Sequence, residues 1–225
     1  MPPALRIQNL LFEYPAHDGE APWRLNIPAL EVQPAEQILL SAGSGRGKST
    51  LLSLIAGIMD PQQGDIEVAG TAVHQLRGHK RDLFRGRHIG MIFQTFNLLT
   101  GFSALENVEA ALMFSEQPTH NHRQKAAELL TSLGIERHNA LVDRLSVGQQ
   151  QRVAVARAVA CDPVLVLADE PTASLDPENS ANAMKLIQDA CRAKNAALLC
   201  VSHDPTMADR FQRRERLDAL AGSGA

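Results

Sequence analysis

Cysteine is scarce in this sequence of 225 residues, and its distribution excludes two common classes of protein. The three cysteines, Cys161, Cys191 and Cys200, are widely spaced and set in apolar runs. A disulfide framework or a cysteine-rich metal site needs cysteines clustered at regular spacing. We therefore expect reduced thiols in the core of a cytosolic protein.

Long apolar runs are also missing. No stretch approaches the roughly 20 apolar residues that a membrane-spanning helix needs. The first residues, MPPALRIQNL, lack the apolar segment of a signal peptide. If the protein works at a membrane, we expect another chain to supply the span.

A basic excess is missing as well. The 22 Lys and Arg residues against 25 Asp and Glu residues give a formal net charge of −3. Proteins that bind nucleic acid usually carry a strong basic excess or stripe. Two local basic clusters, Arg77 to His88 and Arg210 to Arg216, are interpreted as solvated faces. The sequence therefore predicts no nucleic-acid partner.

What the sequence does contain is an alternation of strands and helices. Apolar strands are predicted at LRIQNLLF, WRLNI, QILLSA, GDIEVAG, IGMIFQ, VLVLADE and ALLCVSH. A helix begins at Asp176 and Pro177, between the last two strands. Alternation with continuous apolar strands predicts an α/β domain with a mainly parallel sheet.

The middle of the chain, residues 95–160, is predicted to be helical. Ser103 begins the first helix with a capping-box pattern, and Gly134 ends the second. A third helix is predicted from about Gly148 to Cys161. These three helices would form an insert in the α/β domain.

A glycine-rich loop, AGSGRGKST, joins a predicted strand to a helix and so resembles a phosphate-binding P-loop. Its glycines allow backbone N–H groups to approach phosphate oxygens, and Lys48 would contact the β- and γ-phosphates. The Ser49 hydroxyl would bind Mg²⁺ and Thr50 would cap the helix. Alanine replaces the usual first glycine, which is tolerated unless its φ is positive. The predicted ATP-binding loop comprises Ala42, Gly43, Ser44, Gly45, Arg46, Gly47, Lys48, Ser49 and Thr50.

Two carboxylates end the strand VLVLADE, where ligands of parallel sheets bind. Asp169 would hold Mg²⁺, and Glu170 would polarise the water that attacks the γ-phosphorus. His203 could orient that water, and Gln94 could reach the metal, although a lone histidine or glutamine at a strand end is more often structural. The catalytic residues are thus predicted to be Glu170, His203 and Lys48, and the metal ligands to be Ser49, Gln94 and Asp169.

A second anion-binding pattern, LSVGQ, precedes the third predicted helix. Ser146 and Gly148 would lie at the N-terminus of that helix, where N–H groups and the helix dipole favour negative charge. This site has no lysine of its own.

The motifs AGSGRGKST, Gln94, LSVGQ, VLVLADEP, ASLD and SHD resemble, in content and order, those of ABC-type ATPases. The resemblance runs from Tyr14 to His203, and RHIGMIFQTFNLL and VLADEPTASLD look most similar to the lipoprotein-releasing and macrolide-exporter branch. It implies a P-loop NTPase of ABC type with a mainly parallel core, an antiparallel β edge and a helical subdomain. The implied single domain, 1–225, divides into a core at 1–94 and 161–209, a helical subdomain at 95–160 and a tail at 210–225.

The same resemblance implies what the second site does. Two subunits would pack head to tail, so that the signature residues of one face the γ-phosphate bound by Lys48 of the other. Tyr14 would stack on adenine, Asp176 would lie across the dimer seam, and Gln94 with the helical insert would contact a membrane subunit. The implied signature residues are Ser146, Val147, Gly148 and Gln149.

Two further departures from the family pattern affect these expectations. Val147 replaces a common glycine and would be strained only at positive φ. Ala35 also replaces a common glycine and, with Ala42, makes the adenine side of the predicted site less typical. The structural alternative for Tyr14 is a packed surface aromatic residue.

The expected protein is an ATPase subunit that uses ATP and Mg²⁺, as a homodimer or with a paired ATPase subunit. It would power integral membrane permease subunits from the cytoplasmic face of the inner membrane, and we expect the transporter to be an exporter. One alternative is a regulatory ATPase that transmits motion through a membrane partner to cell-wall enzymes. Another is a DNA-repair or translation ATPase, which would carry a long coiled coil or a second cassette.

Overall fold

The fold is seen in a computed structural model that describes residues 1–15, 23–43, 45–116, 118–173 and 175–220. Nine strands occupy β1 Leu5–Tyr14, β2 Trp23–Val32, β3 Gln37–Ser41, β4 Gln63–Val68, β5 Thr71–Ala72, β6 Ile89–Ile92, β7 Leu165–Asp169, β8 Ala197–Ser202 and β9 Arg213–Arg216 among these residues. Within the same ranges, the α-helices are α1 Lys48–Ile55, α2 His79–His88, α3 Ala104–Leu112, α4 His122–Ser132, α5 Val147–Val159, α6 Pro177–Ala193 and α7 Leu217–Leu220.

The strands form two sheets. Five parallel strands are ordered β6-β7-β8-β3-β9, and four antiparallel strands are ordered β2-β1-β4-β5. The predicted α/β class, with a mainly parallel sheet and a smaller antiparallel one, is confirmed. The carboxyl ends of β3, β6, β7 and β8 therefore meet at one edge, where parallel sheets place ligands.

Alternate residues of the parallel strands feed two different hydrophobic clusters. In β7, Leu165 and Leu167 pack toward the antiparallel sheet and α1, whereas Val166 and Ala168 pack toward α5 and α6. The period of two sends successive side chains to opposite faces. Burial on both faces explains why these strands read as unbroken apolar runs.

The helices α3, α4 and α5 share a third hydrophobic cluster. Ser103 closes the predicted capping box with Glu106, and Gly134 follows α4 with φ 77°. Leu129 and Leu133 pack against both this cluster and the one beneath α6. These two leucines therefore lie on the seam between the helical insert and the core.

Several elements were not predicted from the sequence, among them α2, β9 and α7. The basic cluster Arg77 to His88 contains α2, which has no buried residue and so no apolar periodicity. The segment 210–225, predicted as a tail, contains β9, which pairs with β3, and α7, which follows it. The strand is highly charged because it lies at the sheet edge; residues 221–225 lie outside the described range.

The expectations for cysteine and for membrane spans can be compared with the structure. The three cysteines are free thiols, and burial raises the pKa of Cys191 to about 12. Among the described residues, no helix combines the length and the apolar character needed to cross a membrane.

Candidate functional site

The glycine-rich loop follows β3 and leads into α1, as predicted. Gly45 and Gly47 have φ of 72° and 87°, a left-handed conformation that disfavours side chains. A Cβ at Gly47 would also lie 2.4 Å from the Trp23 ring. Gly47 is the N-cap of α1 and provides no side-chain cap, so the first N–H groups of the helix have no side chain as acceptor there.

Several loop residues lie as expected and one does not. Thr50 does not cap α1, because the helix begins at Lys48 and Thr50 already lies inside its first turn. The φ of Ala42 is not positive, so this alanine is tolerated in place of glycine. Gly43 and Arg46 are exposed, and Ser44 lies outside the described residues.

Lys48 is buried and makes its contacts inside the site. Its Nζ donates to the carbonyl of Ala42 at 3.0 Å, approaches that of Gly43 at 3.5 Å and pairs with Glu170 Oε1 at 2.7 Å. The ammonium thus joins the loop to the carboxyl end of β7.

Glu170 is the hub of this contact network. Its Oε1 also lies 2.7 Å from His203 Nδ1, and its Oε2 accepts hydrogen bonds from Ser202 Oγ and the His203 N–H. Burial would raise the pKa of Glu170, but hydrogen bonds from Lys48 and His203 outweigh burial and hold it below its usual range. Glu170 also has φ 46°, a strained conformation typical of functional positions.

The predicted metal ligands approach one another in the same place. Ser49 Oγ donates to Asp169 Oδ2 at 2.8 Å, which joins the first turn of α1 to the end of β7. Gln94, two residues beyond the end of β6, lines the same cavity. Hydroxyl, carboxylate and amide oxygens are the hard ligands that Mg²⁺ prefers, so the donor set fits that ion.

A cavity of ≈ 610 Å³ unites most of the predicted residues. From the predicted set it is lined by Tyr14, Gly45, Gly47, Lys48, Ser49, Thr50, Gln94, Asp169, Glu170 and His203. One lining residue, Trp23, was not predicted. It lies directly opposite Tyr14 in the β1–β2 register, and their ring centroids are 5.7 Å apart. The position of this single tryptophan beside the glycine-rich loop depends on strand pairing, which the sequence alone did not fix.

Tyr14 lies at the end of the cavity next to Trp23. Its ring packs edge-on against Phe12 at 5.0 Å, and its hydroxyl contacts Met59 Sδ at 3.7 Å. The residue is nevertheless 42% exposed and lines the cavity. Stacking of Tyr14 on adenine stays a prediction.

The signature residues lie elsewhere. Ser146 is the N-cap of α5 and forms a capping box with Gln149, while Val147 is helical, without positive φ and 52% exposed. Val147 and Gly148 share a second, ≈ 320 Å³ cavity with Asp176, the N-cap of α6. None of these residues lines the cavity that contains Lys48.

Comparisons with known proteins agree with this arrangement. The model of the ABC transporter family matches residues 25–173. The lipoprotein-releasing system ATP-binding protein LolD of Chromohalobacter salexigens is 38% identical over 190 residues, covering 84% of this chain and 80% of that protein. The chain therefore belongs to the ABC transporter family.

Two solved structures of the bacterial ABC transporter cassette MJ0796 have the same fold. One dimeric structure has a TM-score of 0.80 at 31% identity and covers 95% of this chain and 94% of that chain. A dimeric post-hydrolysis structure bound to ADP and Pi has a TM-score of 0.78 at 29% identity, with coverage of 94% and 93%. The family and the fold predicted from the motifs are confirmed: this chain is an ATP-binding, ATP-hydrolysing subunit of ABC type.

Proposed function

We propose that two copies of this chain, or this chain and a paired ATPase subunit, close head to tail around two Mg-ATP. Closing and opening would power a separate permease at the cytoplasmic face of the inner membrane. The observation that carries the proposal is the separation of the two predicted phosphate sites: the cavity of Lys48 and the N-terminus of α5 do not meet within one chain.

In this proposal the loop before α1 binds the phosphates. The N–H groups at the helix start, which no N-cap side chain accepts from, and the Lys48 ammonium supply positive potential there. Ser49, Asp169 and Gln94 would hold Mg²⁺, which would help to neutralise phosphate charge when bound. Tyr14 and Trp23, which line the same cavity, would pack their aromatic rings against the base.

Glu170 would act as the general base. While Lys48 pairs with it, the lowered pKa of Glu170 makes its ionised carboxylate a weak acceptor for a proton from the attacking water. Its Oε1 first has to be released by Lys48, whose ammonium would turn to the phosphates. His203 Nδ1 then holds the carboxylate in place, and the exposed ring can contact the γ-phosphate.

The N-terminus of α5 would complete the site of the other subunit. Ser146 and Gly148 offer a helix N-terminus and a hydroxyl without any positively charged side chain. Such a site suits a phosphate that another chain has already largely neutralised. The dimeric structures of the related MJ0796 cassette support this arrangement, which a two-fold axis would repeat twice.

The permease would contact the side of the helical insert next to Gln94. Leu99, Phe102 and Leu141 are 42%, 49% and 36% exposed there, although each is apolar. The amide of Val142 donates to the carbonyl of Phe102, which keeps these segments together. Exposed apolar side chains grouped in this way are typical of protein interfaces.

The name of the LolD relative supports the branch proposed for the permease. We expect an exporter or a lipoprotein- or macrolide-type extrusion system. Cargo movement in vesicles containing the permease would separate this proposal from the regulatory alternative.

The Glu170→Gln variant tests the proposed dimer. Removing the base should slow hydrolysis by roughly 10²–10⁴-fold while the site still binds ATP. The variant should therefore elute as a dimer in size-exclusion chromatography with ATP and Mg²⁺ and as a monomer without them. Glu67→Gln, a surface carboxylate paired with Arg6, serves as the control and should retain activity. A Glu170→Gln protein that stays monomeric with ATP and hydrolyses it at full rate would refute the proposal.

A further inference from the structure

A cavity larger than that of the nucleotide site lies on the seam between the helical insert and the core, and it plays no part in the proposed function. It measures ≈ 920 Å³, within the roughly 300–1,000 Å³ typical of small-molecule sites. Its walls come mainly from α4 of the insert and α6 of the core. We call it the seam cavity.

The floor of the seam cavity is apolar. Leu129, Leu133 and Leu186 line it and are only partly buried, although each already packs against a hydrophobic cluster. Covering apolar surface in a concave site with an apolar ligand removes that surface from water, which favours binding. The floor therefore suits an apolar ligand body.

Two lysines from opposite walls line the same cavity. Lys125, on α4, and Lys194, just after α6, each pair with Asp162 at 2.7 Å, one on each carboxylate oxygen. Each ammonium has three N–H donors, and in the described part of the chain neither lysine has a second side-chain or backbone acceptor. Two cations thus share a single carboxylate beside the apolar floor.

The acidic residues of the wall do not reverse this balance. Asp189 is bonded by Lys185 and by Arg192, both at 2.6 Å, and these cations do not line the cavity. Glu128 accepts a hydrogen bond from Gln124 at 2.8 Å and is exposed at the rim. The N–H groups that are left to donate to a ligand are therefore those of Lys125 and Lys194 that Asp162 does not accept.

From this arrangement we propose that the seam cavity binds a small amphiphile with an anionic head and a single apolar chain. The head contacts Lys125 and Lys194, and the chain covers Leu129, Leu133 and Leu186. Bound there, the ligand bridges α4 and α6 and restrains the insert against the core.

Dodecanoate, kept below its micellar concentration, tests the site by isothermal titration calorimetry on the full chain. We expect saturable binding of about one dodecanoate per chain, and weaker binding of dodecyltrimethylammonium by roughly tenfold or more, because charge-assisted hydrogen bonds to the head are lost. Equal affinity for the two amphiphiles, or uptake without saturation, would overturn the proposal.

Variants locate the site. The double variant Lys125→Gln/Lys194→Gln should bind dodecanoate roughly tenfold more weakly, while Lys80→Gln, an exposed control on α2 that does not line the cavity, should bind normally. Ala193→Trp leaves both ion pairs in place and fills the mouth at an exposed position, so it should weaken binding even if the double variant fails to fold. Unchanged affinity in Ala193→Trp would place dodecanoate elsewhere and refute the assignment.

The proposal does not depend on the nucleotide mechanism. Lys48→Ala should bind dodecanoate as tightly as the unmodified chain, because Lys48 lies in another cavity. Loss of dodecanoate binding in that variant would contradict a separate site.

Discussion

Two helix N-termini in this protein are candidate phosphate-binding sites, and they are built in opposite ways. The α1 N-terminus begins at a glycine, has no side-chain cap and sits beside a buried lysine and two carboxylates. The α5 N-terminus is capped by its own serine and glutamine, and the first residues of α5 are exposed.

The difference shows which site can act alone. At α1, the N–H groups have no N-cap side chain as acceptor. Together with the charge of Lys48 they favour the binding of an anion. At α5 the capping box satisfies the Ser146 and Gln149 N–H groups internally. The α5 terminus can therefore add contacts to a phosphate that another site already binds, but it is poorly suited to bind a phosphate alone.

The largest effect should come from breaking the α1 site. Lys48→Ala removes the positive charge in a buried position, and we expect kcat/KM for ATP to fall by roughly 10²–10³-fold. Lys80→Ala, on the exposed start of α2, should change the rate little. A steady-state ATPase assay measures the rates of both variants. Similar losses in the two would contradict a role for Lys48 in binding the phosphates.

A smaller effect on ATPase activity should distinguish the two capping boxes of the insert, at Ser103 and at Ser146. Ser103 and Ser146 both cap a helix in the same way, so changing either to alanine should cost about 1 kcal/mol of unfolding free energy. Only Ser146→Ala should also lower ATPase activity, by about three- to tenfold, because only that hydroxyl is proposed to reach phosphate. Urea unfolding and ATPase assays test the pair; equal activity losses would mean that capping alone explains the effect.

Acid should reveal the contacts that Glu170 makes beside α1. Its pKa in the folded protein is lower than its ordinary value of 4.5, so the unfolded chain takes up this proton first as pH falls. The stability that Glu170 contributes is complete above about pH 4.5 and is lost as pH falls through the lowered value. Urea unfolding at several pH values should therefore show a shallower acid loss in Glu170→Gln than in the unmodified chain. Parallel acid profiles would contradict the lowered pKa.

The smallest effects concern the two alanines that replace family glycines, Ala35 before β3 and Ala42 after it. Ala35 has φ 60°, so Ala35→Gly should relieve strain and stabilise the protein by about 0.5–1 kcal/mol. The φ of Ala42 is not positive, so Ala42→Gly should instead destabilise it by about 0.5–1 kcal/mol. Thermal unfolding compares them, and a shift of the same sign in both would refute this reading of the backbone.

Local patterns in the sequence predicted much of the fold and the positions of the nucleotide-binding motifs. The capping box at Ser103 depends on residues three positions apart, and the apolar strands depend on runs of a few residues. These patterns need no knowledge of the rest of the chain. The ABC family and its fold followed from them.

Elements and contacts that depend on distant partners were harder to predict. The helix α2 has no fully buried residue, and β9 is a charged edge strand that only its pairing with β3 defines. The pair between Lys48 and Glu170, and the place of Trp23 against Gly47, join segments far apart in the chain. No short pattern encodes such contacts.

The central claim, that each ATP site takes residues from two chains, is tested most directly by mixing two inactive variants. In a dimer of Lys48→Ala with Ser146→Arg, one site keeps both its lysine and its serine, while the other loses both. If subunits mix at random, an equal mixture should recover about a quarter of the unmodified activity, because half the dimers are mixed and each has one intact site. Lys48→Ala mixed with the double variant Lys48→Ala/Ser146→Arg should recover none. A first mixture as inactive as the second, although both variants fold and form mixed dimers, would contradict the claim.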